Sequence, residues 1–230
     1  MRTSALTGVA ALATALGVLL SGCGSTKAVD GTPVAAPSTS GRTSAPAPAQ
    51  PDEGTPGSYE TIASYISQNG IQETPVKAGD PGAPTIDLPY PQGWEDAGPE
   101  TPDWAYGATV YRGPEAAEYT PSIVALISKL SGDVDPAKII ELAPGELQNL
   151  PGYEAITDGA TSQLSGFDAY QLAGTWDQDG LRKFVAQKTV VIPGGDGLYV
   201  LQLNADGLAD QADILSAAID VIDAETVITP

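Results

Sequence analysis

The stretch that decides the fold is residues 169–205, AYQLAGTWDQDGLRKFVAQKTVVIPGGDGLYVLQLNA. It contains three extended runs separated only by short turns rich in Gly and Asp. The runs cover residues 169–176, 182–192 and 198–205. Tyr170, Leu172 and Trp176 alternate along one side of the first run, as expected of a strand with one buried face. Because such short turns join neighbouring antiparallel strands, the sequence predicts a three-stranded meander.

Further strands are predicted before the meander. Residues 123–127 form an unbroken aliphatic run, which is typical of a central strand buried on both faces. Residues 105–111 are predicted to form another strand. The meander is therefore expected to be part of a larger sheet.

Three helical segments alternate with these strands along the chain. A short first helix is predicted between Ser58, as its N-cap, and Gly70. Asp135 followed by Pro136 is a typical helix start, and Pro144 is expected to kink or restart that helix. The last helix has apolar residues spaced by four and three, namely Leu208, Ala212, Leu215, Ile219 and Ile222. Together these elements predict an α+β domain with helices packed on a mainly antiparallel sheet.

The N-terminus has the features of a secretory signal. Arg2 supplies a positive charge, residues 5–20 are mostly apolar, and small residues precede Cys23. The apolar run is shorter than the roughly 20 residues of a transmembrane helix. The tetrad Leu20-Ser21-Gly22-Cys23 resembles the lipobox of bacterial lipoproteins, in which the cysteine carries diacylglycerol after cleavage. We therefore expect a signal peptide at residues 1–22 and lipidation of Cys23. The alternative is an ordinary cleavage site beside an incidental cysteine.

Residues 24–58 have the composition of a linker. Pro, Gly, Ser, Thr and Ala dominate, and aromatic, Leu and Ile residues are absent, so this segment buries too little apolar surface to fold. We expect residues 23–58 to be a lipidated, disordered stalk. Residues 59–230 are long enough for one globular domain with a sizeable core.

The predicted domain is strongly acidic. Three bases and three acids balance within residues 1–58, so the whole net charge of −19 falls on residues 59–230. This charge disfavours nucleic acid and anionic lipid headgroups as partners. Solubility outside the cell is a sufficient explanation for it.

The chain lacks the residue types of most common catalytic sites. It has no histidine, which excludes Ser-His-Asp and Cys-His catalysis and most zinc sites. Its one cysteine is the expected lipidation site. Ser128 and Lys129 are adjacent on a predicted strand, so their side chains should point to opposite faces. We therefore expect a protein that is not an enzyme and has no metal or cofactor.

Two groups of acidic residues leave an alternative open. Asp177 and Asp179 fall in one turn, and Asp206, Asp210 and Asp213 come at the start of the last predicted helix. Turn formation explains the first group. Interaction with the helix dipole and a solvated face explain the second. The remaining interpretation is a carboxylate-based hydrolase or a Ca²⁺-binding envelope protein.

Aromatic residues in loops are the best candidates for ligand contacts. Trp94, Trp104 and Tyr106 lie in or beside segments rich in Pro and Gly. Loop rings stack on sugars and line lipid sites, but they also commonly cover the edge of a core. We predict that these three rings are exposed and form a neutral, partly apolar binding site.

Several stretches resemble the LpqN/LpqT family of mycobacterial and related actinobacterial lipoproteins. They are residues 70–75 (GIQETP), 128–138 (SKLSGDVDPAK), 143–147 (APGEL), 185–193 (VAQKTVVIP) and 201–205 (LQLNA). The resemblance extends over the signal, the stalk and the domain. It implies a PsbP-like αβα sandwich and anchoring at the extracytoplasmic face of the cell membrane. It also implies a non-enzymatic module of envelope biogenesis that binds envelope glycolipids or proteins that handle them.

Overall fold

The computed structural model describes residues 59–230; the expected signal peptide, Cys23 and the expected stalk lie outside the described residues. The strands are β1 (Gln72–Val76), β2 (Thr85–Asp87), β3 (Trp94–Asp96), β4 (Gly107–Tyr111), β5 (Ser122–Ser131), β6 (Glu154–Ala155), β7 (Ala160–Leu164), β8 (Phe167–Gln178), β9 (Leu181–Gly194), β10 (Gly197–Leu208) and β11 (Val227–Thr229). The α-helices are α1 (Ile62–Gln68), α2 (Pro136–Leu142), α3 (Gly145–Gln148) and α4 (Ala212–Glu225). Short 3₁₀ turns cover Gly98–Glu100, Pro114–Ala117 and Ala209–Gln211.

The predicted meander is confirmed. β8 pairs with β9, and β9 pairs with β10, both antiparallel. Asp179 and Gly180 form the turn between β8 and β9 with φ angles of 51° and 81°. Two consecutive left-handed residues are the geometry that follows the natural twist of a tight hairpin. This local requirement is the reason that Asp-Gly stands between the two strands.

The meander is extended on both sides into a large sheet. The strand order is β3-β4-β5-β10-β9-β8-β6, while β1 also pairs with β5 and β7 also pairs with β8. All of these pairs are antiparallel. β5 lies next to β10 in the middle of the sheet, and its residues Ile123 and Val124 are each 2% exposed. The prediction of a doubly buried central strand is therefore confirmed.

Helices cover both faces of this sheet, as in an αβα sandwich. On one face, called the α4 face, Leu215 and Ile222 of α4 pack against Leu201 and neighbouring strand residues. The small β2–β11 sheet contributes Ile86 and Ile228 to the same core. The predicted α+β class with helices packed on a mainly antiparallel sheet is confirmed.

The opposite face, called the three-helix face, is covered by α1, α2 and α3. Ile66 of α1 and Ile139 of α2 pack against Val191 and Val200 of the sheet. Leu147 of α3 packs beside these helices in a separate cluster with Leu172, Trp176 and Val185. Because side chains alternate along a strand, every second residue of β9 and β10 belongs to this face.

The helix boundaries follow local capping chemistry. Asp135 caps α2 by accepting a hydrogen bond from Ala137 N–H at 2.9 Å, as predicted. The helical stretch stops at Leu142 and restarts at Gly145, so the predicted interruption at Pro144 is confirmed.

The first helix begins later than predicted. The N-cap is Thr61, whose hydroxyl accepts a hydrogen bond from Ser64 N–H while the Ser64 hydroxyl accepts one from Thr61 N–H. This reciprocal pair satisfies two backbone donors at once, which a lone serine cap cannot do.

Candidate functional site

A row of alanines crosses three neighbouring strands on the α4 face. Ala173 of β8 lies opposite Ala186 of β9, which lies opposite Ala205 of β10. Three short side chains in register leave space between the sheet and the helix that covers it. The sheet is therefore indented beneath α4.

This indentation is a groove with a volume of about 180 Å³. Phe184 and Leu203 extend its apolar floor beyond the alanines, and Ile219 and Ile222 of α4 form its opposite wall. Concave, mainly apolar cavities with a few polar groups are the usual form of small-molecule sites. The groove is therefore the candidate functional site of the described residues.

Polar side chains lie at the mouth of the groove. Lys188 Nζ is 2.7 Å from Asp223 Oδ2, and the Lys188 side chain is almost fully buried. The aliphatic part of Lys188 therefore lines the groove while its ammonium group is held by α4. Gln171 also lines the groove, and its Oε1 atom is buried without a hydrogen-bond partner in residues 59–230. The site thus offers an apolar interior and unused hydrogen-bonding capacity at its mouth.

Trp94 does not occupy the position predicted from the sequence. It is 6% exposed and belongs to the α4-face core, where its ring centroid lies 5.8 Å from that of Tyr111. The turn before it causes this placement, since Trp94 N–H donates to Pro91 O and Gly93 adopts φ 84°. The expectation of an exposed Trp94 ring is wrong.

Trp104 and Tyr106 are half-buried and pack against different apolar clusters. Trp104 packs against the cluster of Ala105, Val110 and Val124. Tyr106 packs instead against the α4-face core, and its hydroxyl accepts a hydrogen bond from Ile86 N–H at 3.2 Å. The geometry favours the reading that loop rings cover the edges of the core.

Lys183 and Asp206 form a buried ion pair that the sequence analysis did not identify. Lys183 Nζ lies 2.6 Å from Asp206 Oδ1, and the two side chains are 2% and 5% exposed. The Tyr119 hydroxyl donates a hydrogen bond to Asp206 and accepts one from Lys183 Nζ at 2.8 Å. Burial, followed by the negative charge of Asp206, raises the pKa of Tyr119, which keeps this hydroxyl protonated as a donor.

The position of Asp206 overturns its assignment to a solvated helix start. β10 continues through Leu208, so Asp206 is a strand residue whose side chain points into the three-helix face. Asp210 and Asp213 are exposed, and Asp177 pairs with Arg182 at 3.1 Å. Among residues 59–230, no cluster of three or more acidic, His or Cys side chains is arranged to hold a metal ion.

Ser128 and Lys129 are neighbours on β5. Ser128 donates to Glu73 at 2.6 Å whereas Lys129 pairs with Asp196 at 2.5 Å, so the two neighbours serve different contacts. Within the described part of the chain, no helix is both long and apolar enough to span a bilayer.

Comparisons with known proteins agree on one family. The family model described as probable lipoprotein LpqN matches residues 58–229. Lipoprotein LpqN of Mycobacterium tuberculosis is 52% identical over 174 residues, which are 76% of either chain.

The solved structure of a relative supports the same relationship. The crystal structure of LpqN involved in cell envelope biogenesis of Mycobacterium tuberculosis matches with 51% identity and a TM-score of 0.71. The match covers 76% of this chain and 100% of the crystallised one, so the whole of that chain corresponds to the matched part of this one. Cyanobacterial PsbP from Synechocystis sp. PCC 6803 is a distant match, with 12% identity and a TM-score of 0.41 over 69% of this chain and 92% of that one. The family match along nearly the whole described domain shows that this chain belongs to the LpqN family of lipoproteins.

Proposed function

We propose that this protein is a non-enzymatic, lipid-anchored module of the bacterial cell envelope that holds the acyl chain of an envelope glycolipid in the groove beneath α4. The observation that carries the proposal is the alanine row Ala173-Ala186-Ala205, which leaves an apolar space that the fold itself does not fill. An empty apolar cavity costs packing energy, so an apolar ligand that enters it gains the contacts that the core lacks.

The mouth of the groove favours a neutral, hydrogen-bonding headgroup. Lys188 is neutralised by Asp223, and Asp220 adds a further negative charge nearby, so an anionic headgroup finds no free cation there. Gln171 has a carbonyl oxygen without a partner among residues 59–230, and an amide oxygen of this kind can accept a hydrogen bond from a hydroxyl group. A sugar is the kind of headgroup that meets both conditions.

The envelope setting follows from the family and from the N-terminus. The matching relative from Mycobacterium tuberculosis is described as involved in cell envelope biogenesis. A diacylglyceryl group on Cys23 would tether the domain through residues 24–58 at the extracytoplasmic face of the membrane. Two acyl chains are sufficient for stable anchoring, since each buried methylene contributes about 0.8 kcal/mol. The domain would then reach lipids or envelope proteins above that membrane.

The groove is tested by filling it. Residues 58–230 are titrated with dodecyl maltoside below its micelle concentration, by calorimetry. Ala186→Leu places a branched side chain in the groove, and we expect at least about a tenfold loss of affinity because the acyl chain loses its apolar contacts. Ala160→Leu, on the exposed strand β7, is the matched control and should bind like the wild type.

Two results would contradict the proposed site. Equal affinity of Ala186→Leu and wild type would place the acyl chain elsewhere. Binding of maltose with the same affinity as dodecyl maltoside would show that the groove contributes nothing.

The anchor is tested at Cys23. We expect the mature protein to begin at Cys23 and its intact mass to include diacylglycerol. The Cys23→Ser variant should be absent from the membrane fraction. A mature chain that starts within residues 24–58 without lipid would contradict the anchor while leaving the groove proposal intact.

A further inference from the structure

A polar cluster lies on the three-helix face, on the opposite side of the sheet from the groove. It consists of Glu146 from α3 together with Gln187 of β9 and Gln202 and Asn204 of β10. Glu146 Oε2 accepts hydrogen bonds from Gln202 Nε2 at 3.0 Å and from Gln187 Nε2 at 3.2 Å. Gln187 Nε2 also donates to Asn204 Oδ1 at 2.9 Å. The cluster is therefore an ordered network that fixes the position of one carboxylate.

Glu146 has no cationic partner within the described residues. Lys138 pairs with Glu60 and Glu141, and Lys183 pairs with Asp206. Lys77 donates to backbone carbonyl groups. The remaining basic side chains of residues 59–230 pair with other carboxylates; they are Arg112, Lys129, Arg182 and Lys188. A partly buried carboxylate that no cation of residues 59–230 neutralises is an unusual arrangement, because buried charges are normally paired.

The cluster also has acceptors that no group in the described residues uses. Gln187 is 5% exposed, and its Oε1 is buried without a hydrogen-bond partner. Its amide nitrogen is committed to Glu146 and Asn204, so this oxygen cannot exchange roles with the nitrogen without losing both bonds. Glu146 Oε1 likewise accepts no hydrogen bond in residues 59–230, whereas Oε2 accepts two. The unused hydrogen-bonding atoms of the cluster are therefore predominantly acceptors, and a matching ligand must be rich in hydrogen-bond donors.

The surroundings are negative and open to solvent. Burial raises the pKa of the Glu146 carboxyl above its ordinary value. The hydrogen bonds from Gln202 and Gln187 lower this pKa, and the negative charge of Glu73 raises it. Glu73 is exposed on β1 and accepts a hydrogen bond from Ser128. Glu146, Gln202 and Asn204 are half-buried, so a ligand can reach them from outside.

We propose that the Glu146 cluster is a binding site for an alkylammonium or guanidinium group supplied by another molecule. Such a group is positively charged and carries only donors, which matches a carboxylate beside the unused amide oxygen of Gln187. An arginine or lysine side chain of a partner polypeptide and a free amine are the two sources of this chemistry. The site is separate from the groove and does not depend on it.

The test compares charged and neutral ligands of the same shape. Residues 58–230 are titrated with N-acetyl-arginine amide, with N-acetyl-citrulline amide and with the tripeptide acetyl-Gly-Arg-Gly-amide, and the side-chain amide resonances of Gln187 and Gln202 are followed by NMR. We expect saturable shifts with both arginine compounds and binding at least about tenfold weaker with citrulline, because a charge-assisted hydrogen bond is lost. Equal affinity of the two arginine compounds would show that the site recognises the cationic group alone, as expected for a small free ligand, and tighter binding of the tripeptide would assign it to a polypeptide.

Variants separate this site from the rest of the domain. Glu146→Gln keeps the side-chain shape and should weaken arginine binding about tenfold or more. Glu118→Gln, at an exposed position in another loop, is the matched control and should bind like the wild type. Ala186→Leu should leave arginine binding unchanged, so loss of the groove function and loss of this site are distinguishable.

Three results would overturn the proposal. They are equal binding of arginine and citrulline amides, full arginine binding by Glu146→Gln, and shifts of the same resonances by a neutral disaccharide in place of arginine. The last result would assign the cluster to hydroxyl groups.

Discussion

The two faces of the sheet differ in what they bury, although alternate residues of the same strands form both. The α4 face is mainly apolar, apart from the Lys188–Asp223 pair, and leaves a groove over Ala173, Ala186 and Ala205. The three-helix face buries Lys183 with Asp206 and carries the Glu146 cluster. The α4 face thus leaves apolar space unfilled, and the three-helix face brings charges into the interior. Because the unfilled groove and the buried charges differ physically, substitutions on the two faces should change stability in different ways.

The largest effect is expected from Lys183→Ala. It leaves Asp206 buried beside Tyr119 without its counter-charge, which should lower the free energy of unfolding by about 3–5 kcal/mol. Urea unfolding monitored by tryptophan fluorescence measures this change. Lys129→Ala, which breaks an exposed pair with Asp196, is the control and should cost far less, because solvent screens exposed charges.

Replacing both members of the buried pair sharpens this prediction. Lys183→Met combined with Asp206→Leu removes both charges together, so most of the loss should be recovered. A Lys183→Ala chain as stable as Lys129→Ala would show that the pair is not buried in solution.

A second contrast concerns isoleucines on the two faces. Ile139 of α2 is 0% exposed, so Ile139→Ala should lower the free energy of unfolding by about 2–5 kcal/mol. Ile219 of α4 is half-buried at the groove, and Ile219→Ala should cost only about 1–2 kcal/mol because less apolar area is removed from contact. Thermal unfolding of both variants gives the comparison. Equal losses would mean that the groove is closed in solution.

Adding volume distinguishes filled from unfilled parts of the α4 face. Ala125 is 0% exposed in the packed core, so Ala125→Leu should cost about 1–3 kcal/mol through overpacking. Ala186→Leu enters the groove and should change stability by less than about 1 kcal/mol. Denaturant midpoints report both values, and a cost for Ala186→Leu as large as that for Ala125→Leu would argue against the groove.

The smallest effect is expected from the pH dependence of Glu146→Gln. The pKa of Glu146 is raised in the folded state, so the folded chain binds more protons than the unfolded one between the two pKa values. Glu146 therefore favours folding most at low pH, and this contribution is lost as pH rises through its folded pKa. Glu146→Gln should be the more stable chain at pH 7, and this advantage should shrink as pH falls to 4. A constant difference between the two stability curves, measured from pH 4 to 7, would contradict the raised pKa.

Local patterns determined most of the fold. The alternation in residues 169–176 and the Asp179-Gly180 turn specify antiparallel neighbours, because strand period and turn geometry act over a few residues. Asp135 and Pro136 specify a helix start for the same reason. These features depend on short-range chemistry, and the structure follows them.

Tertiary structure decided the sites. The alanine row exists only because strand register brings Ala173, Ala186 and Ala205 side by side from three strands. Lys183 and Asp206 are paired across β9 and β10, and Asp206 resembled a solvated helix residue because a strand end and a helix start share the same polar composition. The sequence around Trp94 predicts a loop, whereas tertiary packing buries its ring in the core. Burial and register depend on residues far apart in the chain, so the sequence could name these side chains but could not place them.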